Sequence, residues 1–210
     1  MMDVIPLFST PICYDEYTLD TNEIELIKKE KFNLSGPFDG YISNDYDILS
    51  KYPNLSNVVH KHIQHSLYDP NSFSIASNMK YKILSSWVNK HPPKHSAHKH
   101  DHANSMFTGV LYIDIPDNSG TLTLGVSMST PTWITGTITP NVNNFNIYNS
   151  RTWLLPTRNG VCVLFPSHLE HWVGQNKSNY DRYTIAFNVM LEGKLSSGNN
   201  ETLNIKVLDN

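Results

Sequence analysis

Cysteine is scarce: Cys13 and Cys162 are the only two in 210 residues. Two thiols so far apart make neither a disulfide framework nor a cysteine zinc site. They suit a reducing cytosol, so a cytoplasmic location is expected. Basic residues are not in excess either. Lys and Arg total 16 against 19 Asp and Glu, for a formal net charge of -3. A protein that grips nucleic acid through phosphates carries the opposite balance, so nucleic acid is not an expected partner. No apolar run approaches the roughly 20 residues that cross a bilayer, which argues against a membrane partner. The amino end, MMDVIPLFSTPICYDEY, lacks a basic start followed by a long apolar stretch, and no secretory signal is expected.

What is present can fold. Apolar residues are 39% of the chain and charged residues only 17%, enough to bury a core in one ordinary domain. Asparagine is abundant. The Asn-x-Ser/Thr triplets at Asn33, Asn54, Asn176 and Asn200 are therefore expected by chance, and they do not argue for glycosylation.

The chain changes texture near residue 70. Before it, Thr21 to Ile27 offers a Thr cap, early acidic residues and helical apolar spacing. Asn33 to Asp47 is rich in Gly, Ser, Asn and Asp and reads as loop. Leu55, Val58, Val59, Ile63 and Leu67 give a second helix over Asn54 to Leu67. After it, short runs alternate with period two between turn signals. Strands are expected at Ser72–Ile75, Lys80–Val88, Phe107–Ile115, Thr121–Val126, Thr132–Thr137, Arg151–Leu155, Val161–Phe165, His171–Gly174 and Arg182–Leu191. Pro116 to Gly120 and Arg158 to Gly160 are turns between them. So many short strands predict a mainly β fold, a sandwich or jelly roll, with the amino-terminal helices packed on one outer face. The expected division is one domain over 1–193, with a helical and loop part over 1–70 and a jelly-roll core over 72–193, then a polar tail over 194–210. That tail reads as an appendage or an edge strand.

Histidine is unevenly placed. His91, His95, His98, His100 and His102 crowd one segment, and His168 and His171 lie together downstream. Taken alone, the first group reads as a solvated polar loop after Pro92-Pro93. Strand geometry offers more. Alternate residues face the same way, so His98, His100 and His102 share a side while Lys99 and Asp101 turn away. Two such imidazoles grip one metal ion if a third ligand comes from elsewhere, and His171 supplies one after the apolar run Val161 to Phe165 and the break at Pro166. Three imidazoles leave about three open positions on an octahedral ion, which suits non-heme iron(II) that must admit a substrate and O₂. Arg182 then opens a strand that places Arg182, Thr184, Ala186 and Asn188 on one face and Tyr183, Ile185, Phe187 and Val189 on the other. An inward Arg needs an anion, and a bidentate carboxylate assisted by Thr184 is the natural one. The alternative is a surface ion pair of Arg182 with Asp181 or Glu170.

Several phrases occur together in order: Ile5 to Ile12, Ser86-Trp87-Val88-Asn89, His100 to Tyr112, Gly160 to His171, and Arg182 to Asn188. With them the chain resembles the small family of 2-oxoglutarate/Fe(II) oxygenases related to prolyl 4-hydroxylases, many of them encoded by bacteriophages and marine bacteria. The resemblance implies a double-stranded β-helix, a jelly-roll variant. It implies Fe(II), 2-oxoglutarate as a small-molecule cosubstrate, and O₂. His100 and His171 would ligate the iron, and Arg182 with Thr184 would hold the distal carboxylate of 2-oxoglutarate. Tyr112 and Asn89 would be further contacts. The wider superfamily uses His-x-Asp where this chain has His100-Asp101-His102. Aligning on Asn104-Ser105 and Thr108-Gly109 puts His102 at the second ligand position, with Asp101 as the alternative and His98 and His168 as neighbours outside the set.

The activity so implied is oxidation of a C–H bond, usually hydroxylation, of a protein side chain such as peptidyl proline or of a small metabolite. Two competing readings share the scaffold. One is a cupin-like three-histidine metalloenzyme without 2-oxoglutarate, although Met106 stands where the usual cupin glutamate belongs. The other is a noncatalytic phage structural or binding module. The stretch from Ser127 to Ser150 is expected near the cleft, where long insertions gate a site.

Overall fold

In the computed structural model, residues 3–36, 39–127, 141–196 and 202–208 are described. In chain order the elements are β1 (Cys13–Glu16), α1 (Thr21–Ile27), β2 (Phe32–Gly36), β3 (Gly40–Ser43), a 3-10 turn at Ile48–Ser50, α2 (Pro53–Tyr68), β4 (Lys80–His91), β5 (Ala97–His100), β6 (Phe107–Asp114), β7 (Leu122–Gly125), β8 (Thr152–Leu154), β9 (Val161–Pro166), β10 (Glu170–Val173), β11 (Arg182–Ser196) and β12 (Thr202–Ile205). Among the described residues these strands form two antiparallel sheets. The larger runs β1-β9-β6-β11-β4-β3-β2, with β12 added on β11, and the smaller runs β5-β10-β7-β8. This is the expected jelly roll.

The alternation of β11 decides what lies on each side of the large sheet. Ile185, Phe187 and Val189 are fully buried, with Tyr183 nearly so, in one apolar cluster that also holds Leu55, Val59, Ile63 and Leu67 of α2. Each such aliphatic side chain removed from water contributes roughly 1.5–3 kcal/mol. Between the sheets a second cluster joins Tyr112, Leu122, Leu124, Val161, Val163 and Phe165. Val163, Phe165, Ile185 and Phe187, read as core from their strand patterns, are all fully buried. Gly109 is required where it stands. A Cβ there would lie 2.1 Å from the Phe187 ring, which pairs with it across β6 and β11.

The helices hold each other at their amino ends. α1 is capped by Asp20, whose carboxylate accepts from the Glu23 backbone N–H at 2.9 Å, rather than by Thr21, which is already its first helical residue. The Glu23 carboxylate in turn accepts from the backbone N–H groups of Asn54 and Leu55, at 3.0 and 2.8 Å, and so caps α2.

Three local expectations change. Ser72–Ile75 is a turn, not a strand, because its backbone donors are drawn to α2: Phe73 donates to the Ser66 carbonyl and Ile75 to that of Leu67. Asn33–Asp47 is not all loop; it contains most of the β2–β3 hairpin, whose polar composition fits an edge of the sheet. Cys13–Glu16 adds β1, which the amino-terminal sequence did not suggest. The expected strand Thr132–Thr137, and much of the stretch expected to gate the cleft, lie outside the described residues. Beyond Gly193, β11 continues and β12 pairs back on it as an edge.

Candidate metal and cosubstrate site

The inner face of the large sheet is a ladder of cross-strand rows. Arg182 pairs with His91; Thr184 with Asn89 on one side and Tyr112 on the other; Ala186 with Trp87 and Val110; Asn188 with Ser85 and Thr108. Alternation sends all of these side chains toward the small sheet. There His171 of β10 stands opposite His100 of β5. Between the sheets lies a cavity of about 310 Å³, whose lining includes His100, His102, His171, Arg182, Tyr112 and Thr184. Asn89 lines it as well.

The three histidines converge: one ring nitrogen from each lies within 4.8 Å of the others. Their Nδ1 atoms are all occupied. His100 Nδ1 meets the His98 carbonyl at 2.8 Å, His171 Nδ1 the Leu169 carbonyl at 3.0 Å, and His102 Nδ1 the Asn188 Oδ1 at 2.6 Å. A carbonyl oxygen can only accept, so each Nδ1 carries the hydrogen and each Nε2 keeps its lone pair. That is the tautomer a metal-binding imidazole needs, with its other nitrogen anchored. Burial drives the His171 pKa down to about 3 and lowers that of His102, so neither ring is charged near neutrality. His102 lies beyond the end of β5. Asn104, at φ 62, takes the left-handed turn that leads from it into β6. Trp87 stacks on the His102 ring, with centroids 5.7 Å apart and planes 28° apart.

Arg182 closes the other end. It is 1% exposed, and among the described residues no carboxylate pairs with it. The surface ion pair with Asp181 or Glu170 does not form, since Asp181 pairs with Lys90 and Glu170 with Lys99. The groups near Arg182 are neutral: the Tyr112 ring centroid lies 5.4 Å from Cζ, and His91 Nδ1 lies 3.5 Å from Nη1. Burial and the neighbouring Arg182 charge drive the His91 pKa down to about 3. Burial also lowers the Arg182 pKa. The Arg182 Nε and the Tyr112 hydroxyl are both buried with no hydrogen-bond partner among the described residues. A buried cation with spare donors, beside a spare hydroxyl, fits an incoming carboxylate. The donor set at the other end of the cavity, three imidazoles, suits iron among the transition metals.

The neighbours in sequence stay out. Asp101 is exposed and does not join the cluster, His168 is exposed, and His98 is turned to Asp39, 2.9 Å away.

A family model described as "Putative 2OG-Fe(II) oxygenase" matches residues 85–188, the segment from β4 to β11 that carries every residue of this site. Over that segment the chain is similar to the 2-oxoglutarate/Fe(II) oxygenases. It is thus an Fe(II)- and 2-oxoglutarate-dependent oxygenase, with O₂ as the oxidant typical of the family. Among curated proteins none matches the sequence. Solved structures agree on the fold. The non-heme alpha ketoglutarate dependent epimerase SnoN from nogalamycin biosynthesis aligns at 15% identity and TM-score 0.59, covering 86% of this chain and 78% of its own. HygX from Streptomyces hygroscopicus, solved with nickel and 2-oxoglutarate bound, aligns at 12% identity and TM-score 0.56, with 86% and 83% covered. A prolyl-4-hydroxylase from Pseudomonas putida aligns at 13% identity and TM-score 0.52, with 87% and 94% covered.

In this oxygenase the residues behind the site were the harder ones to see. Alternation places Asn188 on the Arg182 face but assigns it no task. His91 lies in the histidine-rich segment, and nothing local in the sequence ties it to Arg182. Ser105, Thr108 and Ser167, which bond to one another at 2.8 Å beneath His102, carried no signal beyond the family phrases.

Proposed function

We propose that His100, His102 and His171 hold iron(II) through Nε2, and that Arg182 takes the distal carboxylate of 2-oxoglutarate. Thr184 and Tyr112 add hydroxyls to that carboxylate, and Asn89 contacts the cosubstrate or the substrate. Iron(II) there supplies O₂ activation, coupling decarboxylation of 2-oxoglutarate to succinate with oxidation of a substrate C–H bond. The protein supplies orientation. Arg182 fixes one end of a dicarboxylic acid, and the apolar walls at Val110, Leu122, Val173 and Ala186 limit water around the rest. Hydroxylation is the outcome we favour. The substrate is a protein side chain or a small metabolite, and peptidyl proline is one candidate because a prolyl-4-hydroxylase shares the fold.

The observation that supports this reading most is the buried Arg182, unpaired with any carboxylate among the described residues and opening into the cavity that the three imidazoles share. Its test is an anaerobic titration of the protein with Fe(II) and then 2-oxoglutarate. A weak visible charge-transfer band is expected, and it should be lost in Arg182→Ala and His171→Ala. Three imidazoles without a carboxylate are also what a cupin-like enzyme uses. Tight Fe(II) binding with no response to 2-oxoglutarate would favour that second reading.

A further inference from the structure

The three histidines are not anchored alike. His100 and His171 each donate to a main-chain carbonyl two residues back, a bond that no side-chain substitution removes. His102 instead depends on a side chain 86 residues away. Asn188 Oδ1 receives its Nδ1–H at 2.6 Å and the Thr108 hydroxyl at 3.2 Å, while Asn188 Nδ2 donates to Ser85 Oγ at 3.3 Å. Because Thr108 donates to Asn188, the hydroxyls behind it line up in one direction. Ser105 donates to Ser167 and Ser167 to Thr108, at 2.8 Å each. The His102 backbone N–H also donates to the Ser167 carbonyl, at 3.1 Å.

The direction of these bonds matters. With the Asn188 oxygen toward the ring, Nδ1 must hold the hydrogen and Nε2 is free to bind a metal. With the amide reversed, Nδ1 would accept and Nε2 would carry the hydrogen, which removes it as a ligand. The Thr108 and Ser85 hydroxyls, each able to donate or accept, hold the amide in place on its other sides.

We infer that Asn188 is the positioning residue that selects the metal-binding tautomer of His102, with Thr108 and Ser85 holding its amide in place. This rests on the three-histidine reading above. It also carries a consequence for charge. The amide is a neutral acceptor, so the His102 ligand stays a neutral imidazole. A carboxylate at position 188 would pull on the Nδ1 hydrogen and make His102 a stronger donor to the metal.

The test is anaerobic titration of the full chain with Co(II) alone, following its visible absorption, for the parent, Asn188→Leu, Asn188→Asp and His171→Ala. Thermal unfolding without metal reports whether each variant is folded. Asn188→Leu is expected to weaken Co(II) binding by roughly 10–100-fold. Asn188→Asp is expected to keep the parent affinity or better it, with a shifted Co(II) band. A folded Asn188→Leu protein that binds Co(II) within threefold of the parent overturns the inference. So does an Asn188→Asp protein whose band is unshifted, which decides the matter if the leucine variant does not fold. Parent-like Co(II) binding by His171→Ala would instead mean that the three-histidine reading itself has failed.

Discussion

His171 stands opposite His100 across the β10–β5 pair, with ring centroids 4.3 Å apart, and His102 lies 5.0 Å from the same ring. Two strands far apart in sequence thus set two of the three imidazoles by register alone. The third hangs from the turn that follows. Because Asp101 is exposed and outside the cluster, the set is three imidazole rings with no carboxylate. Removing any one leaves two ligands. His100→Ala, His102→Ala and His171→Ala are each expected to lose at least about 100-fold in Fe(II) affinity, more than the change expected from a group behind a ligand. Asp101→Ala should bind as the parent does. Anaerobic competition against a chromophoric chelator checks all four, and metal loss in Asp101→Ala with retention in His102→Ala would exchange their roles.

Arg182 gives a prediction with two signs. Its guanidinium is buried without a carboxylate, so it burdens the ligand-free fold while serving the ligand. Arg182→Met should remove two charge-assisted hydrogen bonds to 2-oxoglutarate, about 3 kcal/mol or some 100-fold in Kd. The same change should leave the ligand-free protein at least as stable as the parent. Thermal unfolding with and without 2-oxoglutarate measures both. The parent should gain about 2.7 kcal/mol at 100 times its Kd, and the variant only about 0.4 kcal/mol at that same concentration. A marked loss of ligand-free stability would mean that the arginine is structural.

The site was readable from sequence where period-two alternation runs straight into chemistry. Arg182, Thr184 and Asn188 fell on one face of β11 because a strand leaves no other choice, and the structure keeps that order. Which faces meet across the cavity was not readable. The His171–His100 pairing depends on the register of two four-residue strands, and nothing local encodes it. The same holds for Asn188 beneath His102, whose other partners come from β4 and β6, with Ser167 of the turn after β9 bonded to Thr108 behind them. Turn chemistry misled at Ser72–Ile75, where apolar alternation lost to the free carbonyls at the end of α2. Polar edge strands such as β2 look like loops, because one face has no core to meet.

Gly109 tests the packing between the two clusters. The ring of Phe187 occupies the space where a side chain would go, and Phe187 is itself fully buried. Gly109→Ala should therefore destabilise by about 1–3 kcal/mol, the usual cost of overfilling a close-packed core. Urea unfolding followed by far-ultraviolet circular dichroism measures it. Pairing the change with Phe187→Leu, which withdraws the ring, should recover part of the loss. Two additive losses would mean that the two positions do not share the space.

His62 predicts acid sensitivity away from the metal site. It is 2% exposed on the inner side of α2, its Nδ1 lies 3.2 Å from the Tyr17 hydroxyl, and burial lowers its pKa to about 4. Asp15, across the strand from Cys162, pulls the other way but does not overcome burial. The folded pKa lies below the unfolded value of about 6.5, so between the two the unfolded chain binds the extra proton. Stability is then fully present above about pH 6.5 and declines as the pH falls toward 4. The difference of about 2.5 pH units corresponds to at most about 3 kcal/mol. His62→Leu removes the titrating group while keeping an apolar side chain against the core. Its unfolding free energy should fall by about 2–3 kcal/mol less than the parent's between pH 7.5 and pH 4, measured by urea titration at each pH. Equal losses in parent and variant would place the acid sensitivity elsewhere in the fold.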